Sequence, residues 1–426
     1  MNNKKKRQGR RYSYILHQIW NERRSNWALL VELLIVSSVV WYIVDTVYTN
    51  ALIANEPMGY DYSNCYKLSL DQLDEAAVGY DATHPADAIT ADLLALIDRI
   101  RHDSDIECAA YSDRGDAFYG GYFSTRLRYD SLQVDARKIS CEPEMLKVFR
   151  IKSVDGKKTE QLAALLKEQS ILLSERTFSD KFDIRTKIGK EFFYSFSNND
   201  TFPRRLEAVT PVLKRLTYES LYNDNTAIVL MPHKNYNSIY TVTLSVRVKE
   251  SRIKGFEERM NEKIKGNKLR VGNIYVSEIK SYEQIKEDTD ENNVRTLRHY
   301  NAAMGFLLLN VFLGLLGTFW LRTQHRFPEI GLQKAIGATN TDITLRLLAE
   351  AVLMMTIAFL PSLIIDFNIA HANLTEYYQG ETLATGRFII CTAISYVLML
   401  LIIALGIWFP ALRATKANPA DVLRGE

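Results

Sequence analysis

Four groups of residues in this chain have types and spacing suited to chemistry. In the segment 326–339, RFPEIGLQKAIGAT, the side chains of Arg326, Glu329 and Lys334 carry charge between the glycines Gly331 and Gly337. On residue types alone, a short polar loop of this kind between two apolar runs reads as a solvated turn, and only the order of its residues makes it more specific than that. Glu32 is an acid inside an apolar run, and Arg346 and Glu350 belong to a later one. Intramembrane ionisable residues are costly; they form functional pairs or snorkel to the interface, and Arg346 is the base offered as partner to Glu32. Gly156-Lys157-Lys158-Thr159 and Gly189-Lys190-Glu191 carry the glycine and lysine of a phosphate cradle. That cradle needs GxxxxGKS or GxxxxGKT, and both stretches lack the upstream glycine and the correct following hydroxyl, so neither reads as a nucleotide site. The acid and amide cluster 288–293 has the composition of a calcium loop without its central glycine and reads as the solvated face of a helix. HExxH, GxSxG and CxxC patterns are absent, so no catalytic, cofactor or metal residue is assigned, and His84, His102, His233 and His299 read as surface residues.

A membrane organises these groups. The 426 residues, with a formal charge of +3 and 47% hydrophobic residues, would pass for a soluble protein on average. The average hides a segregation into four apolar runs, near 27–48, 302–321, 343–365 and 388–409, each about long enough to cross the hydrocarbon. Glu32, Asn310 and Asp366, with Arg346 and Glu350 in the third run, are scattered and form no continuous polar pathway, which argues against a channel or small-ion carrier lined by polar groups. Lys4, Lys5, Lys6, Arg7, Arg10, Arg11, Arg23 and Arg24 face only Glu22 and hold the amino terminus in the cytoplasm. Placed directly before a span, this basic run reads as a topology signal, with no nucleic acid implied. Tyr14, Ile15, Leu16, Ile19 and Trp20 recur at helical spacing among the bases, giving an interfacial helix on the anionic inner leaflet, with membrane lipids as its partner. Thr49 and Ala51 would suit signal cleavage, but the first run is too long, and Trp27, Trp41, Tyr42 and Tyr48 look like the aromatic belts of a retained span. Arg322, Arg326, Lys334 and Arg346 set the 326–339 loop on the cytoplasmic side.

The fold class that follows is an integral membrane α-helical protein of four transmembrane helices, with a large extracytoplasmic α+β domain between the first and second spans. The divisions are 1–26 basic and interfacial helix, 27–48 first span, 49–298 periplasmic domain with stalk, 299–322 second span and 323–342 cytoplasmic loop. The third span is 343–366, the external loop 367–387, the fourth span 388–409 and the cytoplasmic tail 410–426. Within the domain, Leu93, Leu94, Ile97 and Ile100 mark a helix near 86–102, Val242, Leu244, Val246 and Val248 a half-buried strand, and 252–265 a second helix. Residues 283–322 contain no proline and only three glycines, so one helix of about 60 Å enters the second span from well outside the bilayer and can act as a lever. Gly305, Gly314 and Gly317 permit close helix approach, and Pro361 kinks the third span. Cys391 lies in the last span, leaving Cys65, Cys108 and Cys141, an odd set that permits one disulfide and demands none. In the loop, Pro328 fits a first helical turn, Ile330, Leu332, Ala335 and Ile336 supply an apolar face, Gly337 ends the helix, and Asn340 or Thr341 caps the next.

The order EIG, apolar residue, spacer, Lys-Ala-Ile-Gly-Ala-Thr, followed by a helix with Glu350-Ala351, resembles the MacB-like (FtsX superfamily) permeases of ABC transporters. Two further stretches share the resemblance. In SILLSERTFSDKFDIRTKIGKEF, 170–192, the family has a buried strand, a helix opened by Ser174-Glu175 and a turn at Ile188-Gly189-Lys190; 206–216 matches the following strand, with Pro211 a departure. In the tail 410–424, Pro410, Ala411, Arg413, Ala414, Pro419, Leu423 and Arg424 follow the family's terminal signature.

The resemblance implies that 326–339 is a coupling helix docking on a separate ABC ATPase, which alone holds ATP and Mg. Arg326, Glu329, Ile330, Gly331, Lys334, Ala335, Gly337, Ala338 and Thr339 would make the contact, supported by tail residues Pro410, Arg413, Pro419, Leu423 and Arg424. It further implies a non-catalytic inner-membrane subunit, paired with a second copy or paralogue, that turns ATP hydrolysis into periplasmic movement by mechanotransmission. Such a subunit would expel a peptide, antibiotic, toxin or lipoprotein through a periplasmic adaptor and outer-membrane channel. The alternative is an FtsX-type signalling subunit that controls cell-wall hydrolases, which carries a smaller external domain; a third reading, a membrane-anchored external enzyme, leaves the loop and tail unexplained.

Overall fold

The computed structural model describes residues 23–416 except 86–87, 114–116, 119–123, 180, 198–199, 215–216, 218–224, 232–238 and 379–380. Helix α1 (Arg23–Asn55) leads to β1 (Cys65–Gln72), α2 (Ile89–Arg101), β2 (Ile106–Asp113), β3 (Ser124–Tyr129), β4 (Leu132–Cys141), α3 (Pro143–Val148) and α4 (Thr159–Leu165). Then come β5 (Ser170–Ser174), β6 (Glu191–Ser197), β7 (Asp200–Thr210), β8 (Thr226–Leu230), β9 (Val242–Val248), α5 (Phe256–Lys265), β10 (Arg270–Val271) and β11 (Ile274–Ser281). Helices α6 (Tyr282–His325), α7 (Phe327–Ala335), α8 (Asn340–His371) and α9 (Thr385–Lys416) follow. Two compact units result, Ile53–Arg295 and Met1–Leu52 with Thr296–Glu426.

In the second of these, α1, α6, α8 and α9 are long and apolar enough to cross a membrane, and the β-rich domain lies between the first and second of them in sequence. Leu33, Val40 and Trp41 of α1, Phe319 of α6, Met354 and Met355 of α8, and Met399 and Ile403 of α9 meet in one core. Trp41 is a core residue, 1% exposed and packed on Phe388 at 5.4 Å between ring centroids, so it does not serve as a belt; Trp27 and Tyr42 are exposed. Helix α6 has 44 residues, about 66 Å at 1.5 Å per residue. Pro361 lies inside α8, which continues through it. Arg387 Nε donates to Asp45 Oδ1 at 2.7 Å, Nη2 to Oδ2, and Nη1 to the Glu376 carbonyl at 2.8 Å, joining α1 to the start of α9.

The unit Ile53–Arg295 is built on one sheet ordered β10-β11-β1-β9-β2-β4-β3-β6-β7-β5-β8, in which β8 also pairs in parallel with β4. That return closes β4, β3, β6, β7, β5 and β8 into a six-stranded ring around Leu127, Ile171, Leu173, Phe192 and Leu206. The remaining five strands form an open sheet whose core includes Leu93, Leu96, Ile97 and Ile100 of α2 and Phe256 and Met260 of α5. Leu94 is only partly buried, and Leu96 takes the place expected for it. Strand β9 is buried at all seven positions rather than on one face. It is central, paired with β1 and β2, and its second face carries Arg247, fully buried because Val148, Ser63 and Asp61 carbonyls accept from Nε, Nη1 and Nη2 at 2.6, 2.8 and 2.5 Å.

Other expectations shift for local reasons. The helix placed at 252–265 starts at Phe256, because Gly255 takes φ +71° after a 3-10 turn at Glu250–Arg252. The helix after Ser174 does not form: the Ser174 hydroxyl pairs with Thr177 and accepts from Thr226 N, Phe178 adopts φ +62°, and only the 3-10 turn Ile184–Lys187 follows. The turn at Gly189, φ +84°, is present, and β7 ends at Thr210, before Pro211. The 288–293 cluster is not wholly solvated, since Asp290 is 5% exposed and accepts from Thr217 N and Oγ1 at 3.2 and 2.5 Å. His84 is half-buried, with Nε2 at 2.5 Å from Asp92 Oδ2, while His102 and His299 are exposed and His233 lies outside the described residues. All four cysteines are free thiols; burial pushes Cys65 up to about 12 and Cys108 up to about 11.

Glu142, before α3, accepts from Arg101 Nη2 at 2.5 Å and Tyr111 N at 3.2 Å. Burial raises its carboxyl to about 7 against the opposing pull of Arg101. The native state therefore keeps a proton that the unfolded chain, near 4.5, has released, and stability falls as pH rises between about 4.5 and about 7. Denaturation of the full chain in detergent across that window is expected to show a shallower pH slope in Glu142→Gln; an identical slope would assign the titration to another group.

Candidate functional site

The loop between α6 and α8 contains α7, nine residues long, with Pro328 in its first turn. Pro328 needs no donor there and its fixed φ suits the helix. The far end closes as a Schellman motif: Gly337, at φ +98°, donates to the Lys334 carbonyl at 3.0 Å and Ala338 N donates to the Gln333 carbonyl at 2.9 Å. A Cβ at Gly337 would meet nothing within 4 Å, so the glycine is required by conformation and not by space. Thr339, rather than Asn340 or Thr341, caps α8; its Oγ1 accepts from Asp342 N at 3.2 Å. Ile330 packs against Ile343, with Ala338 and Leu347 beside them, which fixes α7 onto the root of α8.

The apolar face read from sequence divides. Ile330 and Gly331 are buried, whereas Leu332 is 56% and Ile336 78% exposed, with Ala335 exposed between them. At about 100° per residue, Leu332, Ala335 and Ile336 lie roughly opposite Ile330, a separation the sequence already contained. Lys334 is half-buried and Thr339 exposed. Glu329 is held within the chain, accepting at Oε1 from Arg346 Nη2 at 3.3 Å and Gln333 Nε2 at 3.1 Å.

Arg346 thus pairs with Glu329 and not with Glu32, whose carboxylate accepts instead from Thr318 Oγ1 at 3.1 and 3.2 Å. Glu350, 3% exposed, receives Arg322 Nη2 at 2.8 Å and Arg326 Nη1 at 2.5 Å. Arg326 therefore ties the start of α7 to α8. Sequence reasoning treated Arg322 only as a topology signal; the four-residue interval from Arg322 to Arg326 could have marked a two-pronged clamp on one acid. Of the tail residues, Pro410 and Arg413 lie within α9, and Pro419, Leu423 and Arg424 lie outside the described residues. Among the described residues, no group of three or more His, Cys, Asp or Glu is placed to hold a metal ion.

Comparison with known proteins adds a family match over part of the chain. The FtsX-like permease C-terminal family matches residues 301–419, from α6 through α9 and beyond. The macrolide export ATP-binding/permease protein MacB of Campylobacter jejuni is 31% identical over 139 residues, in each of two strains. That match covers 32% of this chain and 21% of the relative, so the chain spans about a fifth of the length of these curated relatives. Two solved structures resemble the chain loosely. The extracellular domain of the noncanonic ABC-type transporter YknZ from Gram-positive bacteria is 14% identical with a TM-score of 0.32, covering 50% of this chain and 100% of that one. The periplasmic region of MacB from Actinobacillus actinomycetemcomitans is 11% identical with a TM-score of 0.34, covering 56% and 98%. The match over 301–419 thus takes in α7, α8, α9 and the part of α6 from residue 301 onward.

Proposed function

We propose that α7 is the contact through which a separate ABC ATPase subunit drives this permease chain from the cytoplasmic side. The observation that carries the reading is the exposed apolar edge Leu332, Ala335 and Ile336 on a helix held at both ends, by Arg326 on Glu350 and by the Gly337 turn with Ile330 on Ile343. Water-facing apolar residues on a pinned helix suit a partner's groove, with Lys334 at the rim for charge. Gly331, Ala338 and Thr339 shape the contact, and Pro410, Arg413, Pro419, Leu423 and Arg424 support it from the tail. ATP and Mg belong to the partner. A second permease copy or paralogue completes the pair, α6 acts as the lever, and the domain Ile53–Arg295 moves on the periplasmic side to expel a peptide, antibiotic, toxin or lipoprotein toward an adaptor and outer-membrane channel.

A photocrosslinking residue at position 336 in living cells is expected to capture a polypeptide with a GxxxxGKS or GxxxxGKT loop, and one at the exposed span position 364 is not. Replacing Glu329 and Gly337 together is expected to uncouple ATP hydrolysis from transport, since the first loses the Arg346 tie and the second must hold φ +98° with a Cβ. Capture of no nucleotide-binding chain at 336, or labelling of that position from outside the cell, would refute the proposal.

A further inference from the structure

Asp366 of α8 is fully buried, and neither of its carboxylate oxygens has a hydrogen-bond partner. Ser38 of α1 faces it, with its hydroxyl close by but outside hydrogen-bond geometry. The charged groups on the surrounding elements are already engaged. Asp45 of α1 and Arg387 of α9 hold each other. Glu32 of α1 accepts from Thr318 of α6, and Glu350 of α8 itself receives Arg322 and Arg326. Cys391 of α9 is a buried thiol, and His371, on the same helix as Asp366, is exposed beside Phe367. A carboxylate without water or counter-charge is strongly disfavoured in an apolar core, so a cation must accompany it.

We propose that Asp366 and Ser38 form a buried monovalent-cation site, filled by a proton that exchanges with water when α1 and α8 part. Three unpartnered oxygens are a poor shell for a metal, since hard cations take about six or more. One proton suffices: it turns an acceptor-only carboxylate into a hydroxyl donor with acceptor capacity left, which Ser38 can complement. The proton comes from water on whichever side the helices open and returns to water on the next opening, with no other bond made or broken. Helix motion in the membrane unit is then linked to pH, independently of what docks on α7.

The test uses the full chain in lipid nanodiscs and infrared difference spectroscopy at pH 7. The carbonyl band of a protonated carboxylic acid is expected in the wild type, shifted by carboxyl-13C aspartate, lost in Asp366→Asn and displaced in Ser38→Ala. It should be equal in sodium chloride and choline chloride. Should Asp366→Asn fail to fold, the isotope shift in the wild type decides. Absence of the band at pH 7 with its appearance only in acid would overturn the proposal, and so would its loss when sodium replaces choline, which would make sodium the occupant.

Discussion

Arg387→Ala is expected to cost the membrane unit about 3 to 5 kcal/mol, the penalty for stranding one member of a buried ion pair. The side chains of Arg387 and Asp45 are 4% and 2% exposed, and the guanidinium meets both carboxylate oxygens in a fork that water would have to replace. Asp45→Ala should cost a similar amount, because the stranded cation is no better placed than the stranded anion. Replacing both by leucine should restore most of the loss, since a well-packed apolar pair often matches a buried ionic one. Unfolding of the purified chain in mild detergent by added denaturing detergent would measure the three variants. Equal destabilisation by the single and double changes would show that packing, and not the uncompensated charge, sets the cost.

In the unit Ile53–Arg295, Arg247→Met is expected to remove about 3 kcal/mol or more. The methionine keeps part of the stem's packing but removes three hydrogen bonds from a charged donor, leaving the Val148 and Asp61 carbonyls only Cys65 Sγ at 3.2 and 3.9 Å, and each bond lost from a charged group is worth about 1.5 to 3 kcal/mol. Arg247→Lys should recover part of that, because one ammonium cannot reach three carbonyls arranged for a planar fork. Urea denaturation followed by tryptophan-independent circular dichroism would report it, and a midpoint unchanged by Arg247→Met would show those carbonyls to be satisfied by other means.

The membrane half of the chain was largely legible in the sequence because its signals are local. Four apolar runs, a long stretch without proline and a glycine after Ile336 gave α1, α6, α8, α9 and the end of α7. Pairings between distant residues were not legible. Nothing in the spacing joins Asp45 to Arg387, the interval from Arg322 to Arg326 marks a clamp without naming Glu350 as its acid, and Arg346, the base offered to Glu32, is held by Glu329. The β-rich domain failed in a different way: the alternation in β9 reported one apolar face correctly, but the polar face is buried too, because Arg247 spends its donors on loops distant in sequence. At α7, apolar residue type alone groups Ile330 with Leu332 and Ile336, and only the helical azimuth separates the buried Ile330 from the exposed pair.

The return of β8 to β4 has a mechanical consequence. An open sheet can be peeled from its margin one ladder at a time, but a hoop offers no margin: drawing out any of its six strands breaks bonds on both flanks together. A body of that kind resists unzipping when tugged and keeps its shape under load.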